Sequence, residues 1–364
     1  MGAGVVLVVA AAVLIGLHGG GRPAATGTPA ASHGPSHRPP ASVGPSPAAP
    51  TLRSLAAAHH LRIGSAANTS ALGTDPAYLA VLQREFNSIT PEDAMKWAQV
   101  EPTPGSYDWT AADRVVALAQ RNGQSVYGHA LVWHTAVPQW VTAGGFPPTE
   151  LSALLQRHIQ DEATRYRGKV WAWDVVNEPL DANGKLQDSV WSRNLGAGYI
   201  ADAFRWAHAA DPGAELFLND FGAESVNTKS NALYNLVKQL RAQGVPVGGV
   251  GFQVHWTTNP LPADFTANLR RFTALGVDVA ITEADVRIVL PATLDKLNAQ
   301  ASVYRQAMAA CLAVPRCVSF TVWGFSDRYS WIPSLQTGAG AACLFDSELH
   351  PKGAYAAVVD TLAK

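Results

Sequence analysis

Trp173-Asp174-Val175-Val176-Asn177-Glu178-Pro179 is an apolar run that ends in a carboxylate. Val279-Ala280-Ile281-Thr282-Glu283 repeats the pattern further along the chain. Short apolar runs of this kind, closed by polar or chain-bending residues, predict buried strands. Two glutamates, each at the C-terminal end of such a strand, are what a (β/α)8 barrel needs to bring two carboxyl groups to one mouth.

Working outward from these runs, short apolar stretches recur at 61–66, 86–90, 125–130, 171–177, 215–219, 249–254, 278–283 and 318–323. Amphipathic stretches lie between them, among others at 111–121, 151–166, 200–210, 230–243 and 294–312. Strands that alternate with helices predict a parallel sheet. Eight of them in a chain of this length predict a closed TIM barrel rather than an open sheet. No Gly-x-Gly-x-x-Gly turn or phosphate loop is present, so a doubly wound nucleotide-binding fold is the weaker reading.

The chain has 364 residues, 48% of them apolar and 15% charged, which suffices for a large core. Its net charge of −1, with Lys and Arg scattered, argues against a nucleic-acid partner. Eleven Trp serve either a large core or a sugar cleft, and composition does not separate the two. Of the three Cys, Cys311 and Cys317 are too few for a zinc site with Cys343 alone; one disulfide and three reduced thiols are both open readings.

The barrel is expected at residues 51–364, preceded by two other segments. Residues 1–21 read as an export signal or membrane anchor, although no Lys or Arg precedes the apolar stretch at 2–17. Residues 22–50 are rich in Pro, Ala, Gly, Ser and Thr and read as a disordered linker; its His33 and His37, like His18 before it, read as solvated side chains.

In a barrel, chemistry sits where strands finish. The expected strand ends carry Glu92 and Lys96, then His129, Trp133 and His134, then Asn177 and Glu178. Asn219 and Asp220, Gln253 and His255, Glu283 and Asp285, and Trp323 follow. Singly, each has a structural explanation: a strand-end Asn caps a helix, and a lone His is usually a satisfied core residue. Together, polar residues after seven successive strands point to one functional mouth. Two opposed carboxyl groups suit glycoside hydrolysis, one protonated to serve the leaving oxygen and one ionised to attack the anomeric carbon. Asn177 offers an amide to a sugar hydroxyl, and a chain from Asp285 through His255 would hold Glu283 ionised. A metal reading of His129, His134, His255 and the carboxylates lacks a His-x-x-x-His or Cys cluster and is the weaker one.

These motifs resemble glycoside hydrolase family ten, the endo-1,4-β-xylanases, over nearly all of residues 52–364. The resemblance rests on Phe86-Asn87-Ser88-Ile89-Thr90-Pro91-Glu92 with Met95-Lys96-Trp97, and on Gly128-His129-Ala130-Leu131-Val132-Trp133-His134. It rests equally on the Trp173 to Pro179 run, Gly251-Phe252-Gln253 with His255, Ile281-Thr282-Glu283-Ala284-Asp285, and Thr321-Val322-Trp323-Gly324 with Asp327 and Trp331. It implies Glu178 as acid/base and Glu283 as nucleophile of a retaining enzyme. Asn177, His129, Lys96, Gln253 and His255 would hold the sugar at or near the cleaved bond. Glu92 would bind the next sugar out, and Trp133, Trp323 and Trp331 would wall the cleft. Cys311 and Cys317 match a disulfide frequent in the family.

Three segments depart from the family pattern: Asp93 replaces the usual Asn, Thr135-Ala136 the usual Ser-Gln, and Phe221-Gly222 the usual Tyr-Asn. The expectation is therefore a secreted, monomeric endo-β-1,4-xylanase acting on xylan, with no metal, cofactor, nucleic acid or obligatory protein partner. The same mechanism on another β-linked glycan is the nearest rival. A non-catalytic glycan-binding barrel and a metal-dependent hydrolase are the more distant ones.

Overall fold

The computed structural model describes residues 50–364. The expected export segment, and all but the last residue of the expected linker, lie outside the described residues. Eight parallel strands form the barrel: β1 (Arg62–Ala67), β2 (Ser88–Pro91), β3 (Ser125–Gly128), β4 (Ala172–Asn177), β5 (Glu215–Asp220), β6 (Gly249–Phe252), β7 (Asp278–Val289) and β8 (Cys317–Val322). Each pairs with its successor, and β8 returns to β1 with Arg62 beside Ser319, which closes the ring. The helices α1 (Pro76–Glu85), α2 (Thr110–Arg121), α3 (Pro148–Arg165), α4 (Gly198–Ala210), α5 (Thr228–Ala242), α6 (Phe265–Thr273), α7 (Leu294–Leu312) and α8 (Gly353–Leu362) follow the strands in turn.

Local chemistry explains these elements. Asp75 caps α1 by accepting from the amides of Ala77 and Tyr78, and Pro76 supplies a preset first turn. On α2, Ala112, Val115, Val116 and Ala119 fall on one face and are buried. Each such Val, fully buried, contributes on the order of 1.5 kcal/mol or more. Gly128 ends β3 because a Cβ there would meet the Trp173 ring at 2.2 Å. Cys311, in the last turn of α7, is bridged to Cys317 at the start of β8, with Cα atoms 5.3 Å apart; Cys343 is free and buried.

Two strands end two residues earlier than the apolar pattern predicts. The run at 249–254 stops at Phe252 because Val254 takes φ 60°, an uncommon conformation for a β-branched residue. The run at 125–130 stops at Gly128. By contrast β7 continues to Val289, because His255–Thr257 pairs along one side of it and Ala339–Gly340 along the other. The helices α1, α6 and α8 were not singled out by periodicity. None of the described helices is long and apolar enough to cross a membrane.

Candidate active site

The site stands on β4 and β7. Within β4 the pairing with β5 slips between Asp174 and Val176, one extra residue against its partner. In a regular strand, residues three apart face opposite sides. The bulge lets both Asp174 and Asn177 turn toward the site. Asp174 accepts from Tyr127 Oη at 2.6 Å and meets His129 Nδ1 at 2.8 Å. Asn177 Oδ1 accepts from Asn219 Nδ2 at 2.9 Å and from Gln253 Nε2 at 3.2 Å. With that oxygen occupied twice, the Asn177 amide nitrogen is the group left to donate to a substrate hydroxyl.

Glu178 follows at φ 55°, a left-handed backbone that non-glycine residues rarely adopt and that functional positions often hold. Its amide donates to the carbonyl of Asn219 at 2.8 Å, which fixes the turn. Its carboxylate accepts from Trp133 Nε1 at 2.9 Å and Gln253 Nε2 at 3.2 Å.

Across the mouth, Glu283 is almost fully buried on β7. Oε1 accepts from Asn219 Nδ2 at 2.6 Å, and Oε2 faces His255 Nε2 at 3.1 Å. Asn219 is oriented in turn by Thr282, whose hydroxyl donates to its Oδ1 at 2.7 Å. His255 Nδ1 lies 2.9 Å from Asp285 Oδ2, and the same oxygen accepts from Trp331 Nε1 at 2.8 Å. The parallel register places His255 directly beside Asp285.

Electrostatics follow from this placement. Burial by itself would lower the His255 pKa, but Asp285 and Glu283 outweigh it and push the ring up to about 10. Burial works to raise the Glu283 carboxyl, yet the hydrogen bond from His255, with His129 and Asn219, leaves it below the ordinary range. A protonated imidazole therefore holds an ionised carboxylate. Burial lifts Asp174, while His129 and Tyr127 restrain it.

His129, Asp174 and Glu283 have ligand atoms within 4.8 Å of one another and form the grouping among the described residues that resembles a metal site. Asp174 is already engaged by Tyr127 and His129 Nδ1, and Glu283 by Asn219 and His255.

The cleft above these groups has a volume of about 590 Å³. Glu92, Asp93, Lys96, His129, Trp133, Trp323 and Trp331 line it with Asn177, Glu178, Gln253, His255 and Glu283. The twelve residues expected to catalyse or bind substrate thus lie at one mouth, Asp285 directly behind His255, whereas His134 and Asp220 do not line the cleft and Asp220 is buried against Lys229 at 2.7 Å. The tryptophans divide: Trp133, Trp323 and Trp331 face the cleft, whereas Trp97, Trp173 and Trp191 are buried in the core.

The model of glycosyl hydrolase family 10 matches residues 51–361. The chain belongs to that family. It is 43% identical to an endo-1,4-beta-xylanase of Agaricus bisporus over 82% of this chain and 90% of that protein. Its fold superposes on native xylanase 10B from Thermotoga maritima with a TM-score of 0.84 at 42% identity, covering 86% of this chain and 98% of the other. Xylanase 10B from Thermotoga petrophila RKU-1, solved in complex with xylobiose, gives a TM-score of 0.85 at 41% identity with the same coverage.

In this family 10 chain Asp93 engages a cation of the cleft. Lys96 Nζ is 2.6 Å from Asp93 and 4.9 Å from the centre of the Trp133 ring. Glu92, mostly by burial and then by the nearby Asp93, is raised to about 7, although Asn68 donates to it at 3.0 Å. Ala136 is half-buried and does not line the cleft.

Sequence reasoning did not assign site roles to Asp174, Asn219, Thr282 or Asn68. Asp174 and Thr282 lie inside the decisive runs, and Asn219, already named among the strand-end residues, is next to last in β5, so position was available as a signal. Asn68 caps a short helix and carries no such signal.

Proposed function

We propose that the chain is a retaining endo-β-1,4-xylanase that hydrolyses internal bonds of xylan by double displacement. The observation that carries this reading is the contrast between the two carboxyl groups. Glu283 is locked ionised by His255 and Asn219, as a nucleophile requires. Glu178 stands at a turn on the opposite strand between Trp133 and Gln253, free to exchange a proton with the leaving oxygen. In the first step Glu178 protonates that oxygen while Glu283 attacks the anomeric carbon. In the second, Glu178 takes a proton from water, which displaces Glu283 with the anomeric configuration retained. The Asn177 amide donates to the sugar ring under attack, a bond that strengthens as charge develops.

The name of the Agaricus relative and the xylobiose in the Thermotoga petrophila structure support a xylan substrate. The Cys311–Cys317 bridge accords with an extracellular site of action.

The test is a product profile of purified protein on arabinoxylan, glucuronoxylan, cellulose and mixed-linkage glucan, with the first-formed anomer read by NMR. Xylo-oligosaccharides from the xylans, first appearing as β-anomers, are expected. An α-anomer first would overturn double displacement, and preferential cleavage of either glucan would overturn the substrate.

A further inference from the structure

Arg287 is a half-buried residue of β7 that lines the cleft beside Trp331 and Leu335. Glu283 and Arg287 both line the cleft, and His255 bridges Glu283 to Asp285, which lies between them on β7. Among the described residues the Arg287 guanidinium has no carboxylate partner, no hydrogen bond and no aromatic ring beneath it. The other cations of the lining, Lys96 and His255, are already paired, Lys96 with Asp93 and His255 with Asp285 and Glu283. Glu178 and the Glu92 carboxyl, raised to about 7, are the lining acids without a cationic partner, so an anion is disfavoured beside them and attracted at Arg287.

We propose that Arg287 is a binding site for the carboxylate of a uronic-acid branch on the substrate backbone. The inference rests on the xylanase reading and extends it to decorated substrates. A guanidinium offers a planar fork of donors that matches a carboxylate in two parallel bonds. Four residues of strand put Arg287 about 13 Å beyond Glu283 along β7, far enough for the branch to sit clear of the ring being cleaved. The short strand His255–Thr257, whose Thr257 is registered beside Arg287, supports the backbone at this point.

The experiment compares kcat/KM for two matched xylo-oligosaccharides. One carries a single glucuronic acid, and the other has that carboxyl reduced to the alcohol. The quantity read is the acid-to-alcohol ratio, so any general effect of a substitution cancels. Relative to the wild type, Arg287→Ala should lower the ratio roughly three- to tenfold, the range for a partly exposed charge-assisted pair. Arg287→Glu should lower it further, and Arg287→Lys should restore part of it. Raised salt should lower the wild-type ratio and leave that of Arg287→Ala flat. A ratio that is the same in all four proteins overturns the proposal. Binding of the acidic oligosaccharide by calorimetry, with and without Arg287→Ala in a Glu178→Ala background, reads the contact without turnover. An unchanged Kd there overturns it as well. Failure of the wild type to cleave either oligosaccharide, with the Kd difference present, refutes the xylanase reading alone.

Discussion

His255 Nε2 lies 3.1 Å from Glu283 Oε2, and the far side of the same ring is anchored by Asp285. The imidazole is thus a fixed positive charge between two carboxylates rather than a proton shuttle. Removing it should raise the Glu283 carboxyl and loosen its aim. His255→Ala is expected to lower kcat by roughly 10- to 100-fold, the worth of a hydrogen bond to a charged group, with a much smaller change in KM. A rise in KM with kcat intact would assign the ring to binding instead.

The two glutamates should separate on activated substrates. Glu178→Ala is expected to cost roughly 10²–10⁴-fold on xylan, the range for general acid catalysis. It should leave the first step nearly intact on aryl glycosides, whose leaving groups need no proton. Glu283→Ala should abolish both reactions. Steady-state and burst kinetics on an aryl xylobioside check this, and equal losses in the two variants would refute the assignment.

Glu92 is expected to make stability depend on pH. Its carboxyl is raised from 4.5 to about 7, so the folded chain holds this proton more tightly than the unfolded one. The associated stability is fully present below about 4.5 and is lost as pH rises through about 7. The melting-temperature difference between wild type and Glu92→Gln should therefore shift against the wild type across that window. A difference that does not vary with pH would show that Glu92 titrates normally.

Asp93 should limit the hold on the outer sugar. It occupies Lys96, whereas an asparagine there would leave the ammonium free to donate to substrate. Asp93→Asn is expected to strengthen binding of unsubstituted xylo-oligosaccharides by about 0.5–1.5 kcal/mol, the worth of one hydrogen bond. Ala136 does not line the cleft, so Ala136→Gln alone should add less. Calorimetry on the two single variants and the double distinguishes the contributions.

The bridge between Cys311 and Cys317 closes a short loop from α7 to β8, with a sequence separation of 6. Chain-entropy arguments for so short a loop give about 2 kcal/mol. The Cys311→Ala, Cys317→Ala variant should lose stability of that order in urea titration. In native protein Cys343 should resist thiol reagents, because it is buried and its thiol is held well above the usual range. A thiol that reacts promptly in the folded state would contradict this.

Much of the molecule was legible in the order of residues. Apolar runs spaced by amphipathic stretches specified eight strands and a closed ring, because burial depends on periodicity, which a sequence carries directly. The apolar runs closed by Glu178 and Glu283 marked the mouth for the same reason, although Glu283 proves to lie within β7, which continues to Val289. What only the tertiary structure decided was direction and company. A bulge after Asp174 reversed the phase of β4 and brought Asp174 and Asn177 to one side. Left-handed backbone at Glu178 and Val254 re-aimed the residues at the mouth. Asn219 bonds both Asn177 and Glu283, Asp93 captured Lys96, and Arg287 remained without a partner in the cleft. Such contacts join residues far apart in the chain, and a shift of one residue in strand phase would change every one of them.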